Sequence, residues 1–154
     1  NLSEVHRGER RGDGVDYMIR PDIVPISPDN LQGLSRLFDA CDQPHVKQWQ
    51  FNPRRCAVAV WKGEVVGFVA SWWDKQPFAW IDLLLVHPAH RGQGIGTVLA
   101  WTMEALLRGE GVKVIRCVLD EGDEIAVSLE KAGFTRIGHP LLMERVYHEV
   151  EGTE

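Results

Sequence analysis

One stretch restricts the fold more than any other. It is a nearly unbroken apolar run, Phe-Ala-Trp-Ile-Asp-Leu-Leu-Leu-Val from Phe78 to Val86, followed by a Pro/Gly/Arg loop and a helical repeat. A strand with apolar residues at odd and even positions has no wet face and belongs inside a sheet. Beyond the loop, Ile95, Val98, Leu99, Met103, Leu106 and Leu107 recur at three and four residues, which predicts a helix that stops at Gly109 and Gly111. Residues 112–119 are β-branched and extended again. Strand, loop, helix, strand makes the two strands parallel with a right-handed crossover. Upstream, residues 56–61 and 65–73 flank Lys62-Gly63-Glu64 as a hairpin, and residues 74–77 turn the chain into the apolar run. The expected architecture is therefore α+β: a central mixed, mostly antiparallel sheet with flanking helices.

The remaining chain fills in around that unit. Residues 17–24 read as a first strand, Ser27-Pro28-Asp29 as a helix start, and Leu31, Leu34, Leu37 and Phe38 as the buried stripe of that helix. A second helical piece is expected over 46–51, a short helix over 123–131 ending at Ala132-Gly133, and a closing pair of strands over 134–138 and 141–150. Residues 1–16 carry charges and glycines with little to bury and read as a flexible arm; 17–150 form one domain and 151–154 a tail. A content of 44% hydrophobic and 25% charged residues suffices for a packed core. The net charge of −5 gives no general attraction to nucleic acid or anionic membranes, and neither is expected as a partner. No apolar run has the length of a membrane span and residues 1–16 lack a signal-type core. Cys41, Cys56 and Cys117 are odd in number and scattered, so neither a disulfide framework nor a zinc site is expected and a cytoplasmic location is the simpler expectation.

The chemistry concentrates in His90-Arg91-Gly92-Gln93-Gly94-Ile95-Gly96-Thr97, between a buried strand and a helix N-terminus. The first amides of a helix lack intrahelical partners and the macrodipole makes that end partly positive, which suits a phosphate or pyrophosphate. Glycine lets an oxygen approach the backbone; Arg91 adds a fixed charge and Thr97 a hydroxyl. No Gly-Lys pair exists, which excludes a P-loop. A dinucleotide fingerprint fails in both registers, since Thr97 and Leu99 stand where its last glycine or alanine belongs.

Arg91-Gly92-Gln93-Gly94-Ile95-Gly96 resembles the R/Q-x-x-G-x-G/A signature of the GNAT N-acetyltransferase superfamily. Before it, Leu85-Val86-His87-Pro88 resembles that family's strand end, and after it Glu130-Lys131-Ala132-Gly133-Phe134 resembles its E-K-x-G-F segment. The resemblance implies the GNAT fold, a sheet splayed after the apolar strand, and acetyl-CoA in the gap as acyl donor. It implies a pantetheine arm along Leu84, Leu85 and Val86 and a pyrophosphate on Arg91, Gly92, Gln93, Gly94, Ile95, Gly96 and Thr97. Ser128 and Lys131 complete the expected donor contacts. The implied reaction is direct attack of a primary amine on the thioester, the amine belonging to a small molecule, a peptide N-terminus or a lysine, with the Val86 amide as oxyanion donor. The competing function is a silent acyl-CoA-binding regulatory module, and a weaker one a transferase for longer acyl groups. A homodimer is compatible with either.

This chain departs from the family at two positions, holding Gly122 where an asparagine is common and Leu129 where a tyrosine acid is common. Tyr147 and Ser128 are then candidate acids by type alone. Asp82 is the candidate base, sharing a face with Leu84 and Val86 if the strand alternates regularly, and equally a structural carboxylate. Asp120 and Glu121 are alternatives. His87 and His90 have the spacing of a metal pair, but with no carboxylate close in sequence no metal is expected. Cys117 reads as a buried hydrophobe rather than a nucleophile. Among six tryptophans, most are expected as core or interface anchors; Trp49 and Phe51, with Trp72-Trp73, are candidates for an acceptor-pocket wall suited to an apolar or aromatic amine.

Overall fold

The structure is a computed structural model that describes residues 19–47, 51–73, 77–119 and 122–138. Its elements in chain order are β1 (Asp22–Val24), α1 (Leu31–Ala40), β2 (Cys56–Trp61), β3 (Glu64–Trp73), β4 (Phe78–Val86), α2 (Ile95–Gly109), β5 (Val114–Arg116) and α3 (Ile125–Lys131). The sheet runs β1-β2-β3-β4-β5, antiparallel throughout except for the parallel β4–β5 pair. The expected mixed, mostly antiparallel sheet with flanking helices is present.

Local sequence explains the boundaries. Lys62 and Gly63 both take positive φ (49° and 79°), which gives a two-residue turn whose twist matches the flanking strands. A one-turn 3₁₀ segment, Pro28–Asn30, precedes α1; the Asn30 side chain accepts from the Ser27 amide at 3.0 Å and donates to the Pro25 carbonyl at 3.1 Å. Gly111 (φ 94°) ends α2 in the left-handed region, where the Val112 amide reaches back to the Leu107 carbonyl.

Two apolar layers sandwich the sheet. On one face Val66, Val69, Ala79, Ile81, Leu84 and Val86 pack against α2 and α3; on the other Val58, Phe68 and Ala70 pack against Leu34, Leu37 and Phe38 of α1. Each fully buried Val, Leu, Ile or Phe side chain here contributes about 1.5–3 kcal/mol by leaving water. The Phe68 ring meets Phe38 and Phe51 edge-on, with centroids 5.4 and 5.3 Å away. At Gly67 a Cβ would stand 2.8 Å from the Leu99 Cδ1 and 3.0 Å from the Ile95 Cγ2, so a side chain there would push α2 off the sheet.

Four expectations need correction. The first strand covers only Asp22–Val24 among the described part of 17–24. The helical piece over 46–51 is absent from its described residues: Val46 closes a turn onto Gln43, and Val46 and Phe51 reach the α1 layer from irregular backbone. Their spacing reflects a shared destination, not a helical period. The strand over 112–119 shrinks to Val114–Arg116, since β4 draws away beyond the third pair. Residues 134–138 are irregular, and 141–150, their expected partner, lie outside the described residues. Among the described residues no helix is long and apolar enough to cross a membrane.

Candidate active site

The site begins at a break in the β3–β4 ladder. Ala70 pairs with Leu83 and Ser71 with Ile81, leaving Asp82 without a partner. This is a β-bulge, with two residues of β4 opposite one of β3, and it re-aims whatever follows it. Counting from Phe78, alternation puts Phe78, Trp80 and Asp82 on the α1-side face, and the extra residue keeps Leu83 there too. Asp82 therefore does not share a face with Leu84 and Val86, which point into the α2 layer. That expectation assumed an alternation which the bulge interrupts.

β5 pairs with β4 only at Phe78↔Val114, Ala79↔Ile115 and Trp80↔Arg116. From Ile81 onward the β5-side edge of β4 has no ladder partner among the described residues, so the two parallel strands part at the bulge. The backbone direction along this free edge follows from one bond: the His87 amide donates to the Val66 carbonyl at 2.8 Å, toward β3. Successive residues present their backbone groups to opposite sides, so Leu85 faces β3 while Leu84 and Val86 face the gap. The Val86 N–H is thus aimed into the opening; its carbonyl receives Arg91 Nε at 3.1 Å and Cys41 Sγ at 3.5 Å.

The loop that follows is built by local chemistry. Pro88–His90 form a 3₁₀ turn in which the Ala89 amide donates to His87 Nδ1 at 3.0 Å. That nitrogen is occupied as an acceptor, and no group of three or more metal-ligating side chains exists among the described residues. Gly92 and Gly94 take φ of 77° and 85°, a region that penalises any side chain, and a Cβ on Gly92 would meet nothing within 4 Å. Gly94 is the N-cap of α2 and offers no side-chain cap, so the amides of Ile95, Gly96 and Thr97 open the helix unsatisfied from within. The Gln93 Oε1 is buried with no partner among the described residues. Arg91 is exposed and reaches Glu124 at 3.8 Å.

Other predicted residues serve packing here. Ile95 is buried in the core, and the buried Thr97 hydroxyl donates inward to the Ser128 carbonyl at 3.2 Å, which leaves only its amide at the helix mouth. Gly96 is required by contact: a Cβ there would lie 2.7 Å from Ser128 Oγ and 3.0 Å from Ser128 Cβ. Ser128 is thus wedged against α2, whereas Lys131, one turn on, is exposed. Leu129 is buried in the α2-side core. Trp72 is exposed, Trp73 stacks under the Arg55 guanidinium at 4.1 Å, and Phe51 belongs to the α1 layer. Tyr147, Trp49, Asp120 and Glu121 lie outside the described residues.

The titratable groups sort by burial. Desolvation raises the Asp82 carboxyl above the ordinary aspartate value, although the residue as a whole keeps contact with solvent. Cys117, at the point where the strands part, is pushed up to about 11 by burial and then by Asp123 and Asp82. A thiol so placed is protonated at neutral pH and is a poor nucleophile. Cys41 was not singled out by sequence reasoning. Its thiol is raised by burial against the opposing pull of Arg91, and its contact with the end of β4 spans 45 residues of chain, so no local pattern signals it.

A model of the Acetyltransferase (GNAT) family matches residues 26–134. No curated protein matches the chain in sequence. Among solved structures, the fold is shared with an aminoglycoside acetyltransferase from an uncultured soil metagenomic sample in complex with sisomicin (19% identity, 82% of this chain and 96% of that one, TM-score 0.65). It is shared as well with the aminoglycoside N-acetyltransferase AAC(6')-Iy in complex with CoA (16% identity, 80% and 98%, TM-score 0.62). A third is the ribosomal-protein-alanine N-acetyltransferase of Brucella melitensis (18% identity, 82% and 99%, TM-score 0.62). With a splayed parallel pair, a glycine-cradled helix start and a family match over most of its length, the chain belongs to the acetyltransferase (GNAT) family.

Proposed function

We propose that the protein transfers an acetyl group from acetyl-CoA to a primary amine by direct attack in a ternary complex. The observation that carries this reading is the continuity of one free backbone edge, Leu84 to Val86, with the unsatisfied N-terminus of α2. An extended amide-bearing arm can pair with the first while its pyrophosphate meets the second. Gly92 leaves room for phosphate oxygens, Gly94 supplies the left-handed turn into α2, and Arg91, already anchored on the end of β4, adds positive charge beside them. The related structures, an aminoglycoside and a ribosomal-protein-alanine N-acetyltransferase, share an amine acceptor.

In this reading the acceptor nitrogen attacks the thioester carbonyl carbon. A C–N bond forms, the C–S bond breaks, and the sulfur departs as CoA thiolate. The Val86 N–H donates to the carbonyl oxygen as negative charge develops on it, a preorganised hydrogen bond of the kind that lowers such barriers. Asp82, a stronger base than an ordinary aspartate, takes the proton that the amine loses. A thiol with a pKa of about 8.5 leaves without an obligatory acid, which accommodates the apolar Leu129.

One observation favours a second reading. Leu129 is buried and apolar where the family commonly has its tyrosine, as a module that binds acyl-CoA without turning it over would tolerate. Thiol release from acetyl-CoA across a panel of amines separates the two: amine-dependent release supports transfer, whereas a raised melting temperature with acetyl-CoA and no release with any amine supports the binding module.

A further inference from the structure

Among the described residues, the α1-side face of the sheet is covered only in part. Past the bulge it lies beneath α1; before it, Trp72, Phe78, Trp80 and Arg116 occupy adjoining positions of three strands. Trp72 pairs directly with Trp80, and Trp80 with Arg116, so their side chains share this face. Large aromatics on a free surface are uncommon, yet Trp72 is 55% and Phe78 42% exposed. The Arg116 guanidinium lies 5.3 Å from the Phe78 ring centre. Asp82 stands on the same face at the inner end of this strip, at the mouth of the gap.

The strip thus has a carboxylate at the end nearest the reacting edge, an indole floor, and a cation held over an aromatic ring at its far end. From Asp82 to Phe78 is four strand positions, roughly 13 Å of backbone. We propose that this strip is the acceptor subsite and that the acceptor is an amine with a flat or apolar body and an anionic group at its far end, within roughly 13 Å of its nitrogen, the length of that run. The amine meets Asp82, the body lies on Trp72 and Trp80, and the anion meets Arg116. A short peptide with a free carboxylate and an aryl-alkyl amine bearing an acid share this chemistry. A polycation does not, since Arg116 repels its distal charge. The proposal rests on the acetyl-transfer reading above.

The test is steady-state CoA release from acetyl-CoA with two matched pairs of acceptors: the tripeptide Ala-Phe-Ala with a free or an amidated carboxylate, and an arylalkylamine with or without a ring carboxylate. Spermidine and kanamycin serve as polycations. We expect the acid of at least one pair to have a kcat/KM about tenfold above its neutral partner, as a charge-assisted hydrogen bond provides, and the preferred pair identifies the source. Arg116→Gln removes most of that preference, Arg116→Lys retains part of it, and Trp72→Ala raises KM for the preferred acid. Equal rates within both pairs, preference for the polycations, or a preference untouched by Arg116→Gln overturns the proposal and leaves acetyl transfer standing. No release with any amine removes the transfer reading itself. Sedimentation is the remaining arm: a wild-type dimer made monomeric by Trp72→Ser, with acceptor kinetics unchanged, assigns the strip to a second copy and overturns the proposal.

Discussion

Asp82 is under two opposed demands. Desolvation raises its folded-state pKa above the unfolded value, so the native state binds that proton more tightly and the contribution of this group to stability is present below the ordinary aspartate pKa and lost as pH rises through the raised one. At neutral pH the carboxylate therefore destabilises the fold slightly. Asp82→Asn is expected to raise Tm at pH 7, with the gain vanishing below about pH 4, the ordinary aspartate range. The same substitution should remove the acidic limb of the kcat/KM profile for acetyl transfer. Calorimetry at the two pH values and a pH–rate series check both halves. Gly96 offers a second test at this scale. A Cβ there meets Ser128 at 2.7–3.0 Å, so Gly96→Ala should cost about 1–3 kcal/mol by overpacking, and Ser128→Gly should recover part of that loss when the two are combined. Additive losses in a denaturant double-mutant cycle would show that another contact sets the cost.

At the scale of the element, β4 divides its backbone between two duties, and hydrogen exchange can read the division. Leu85 is bonded toward β3 and should exchange slowly in the free protein; Leu84 and Val86 face the gap and should exchange faster. Acetyl-CoA is expected to slow Leu84 and Val86 by about tenfold or more while leaving Leu85 little changed. Protection spread evenly over the three would count against pairing at the free edge. This strand also shows what the sequence revealed. The bounds of β4, the glycine loop and the start of α2 were legible, because a buried strand, a left-handed glycine turn and a helical stripe each have a local signature. The bulge was not, since one inserted residue between two apolar half-strands leaves composition unchanged. For the same reason regular alternation puts Asp82 on the wrong face. The shortness of β5 was equally hidden: its residues have strand propensity, but pairing is decided by where β4 goes.

For the molecule as a whole, the proposed donor would touch β4, the loop and α2, elements shared by one apolar layer, so its binding energy should appear as stability of the entire domain. At a concentration one hundred times its Kd, acetyl-CoA is expected to stabilise the protein by about 2.7 kcal/mol, raising Tm by several degrees in a single transition. Gly94→Val, which forces a branched side chain into a left-handed position, should lower that shift well beyond its own cost in stability. A variant that folds and shows the full shift would detach the loop from donor binding. The bulge has a further consequence that is arithmetical. In β4 the α2-facing positions are odd before Asp82 and even after it, so the two halves of the strand are out of phase by one residue while still serving one layer. Deleting that residue would bring the halves into register, allow the ladder to β5 to run on, and close the gap with every glycine and arginine of the loop still in place. On that expectation the width of the opening depends on a count of residues along one strand, and loss of acetyl-CoA binding in a folded deletion variant is the measurement that checks it.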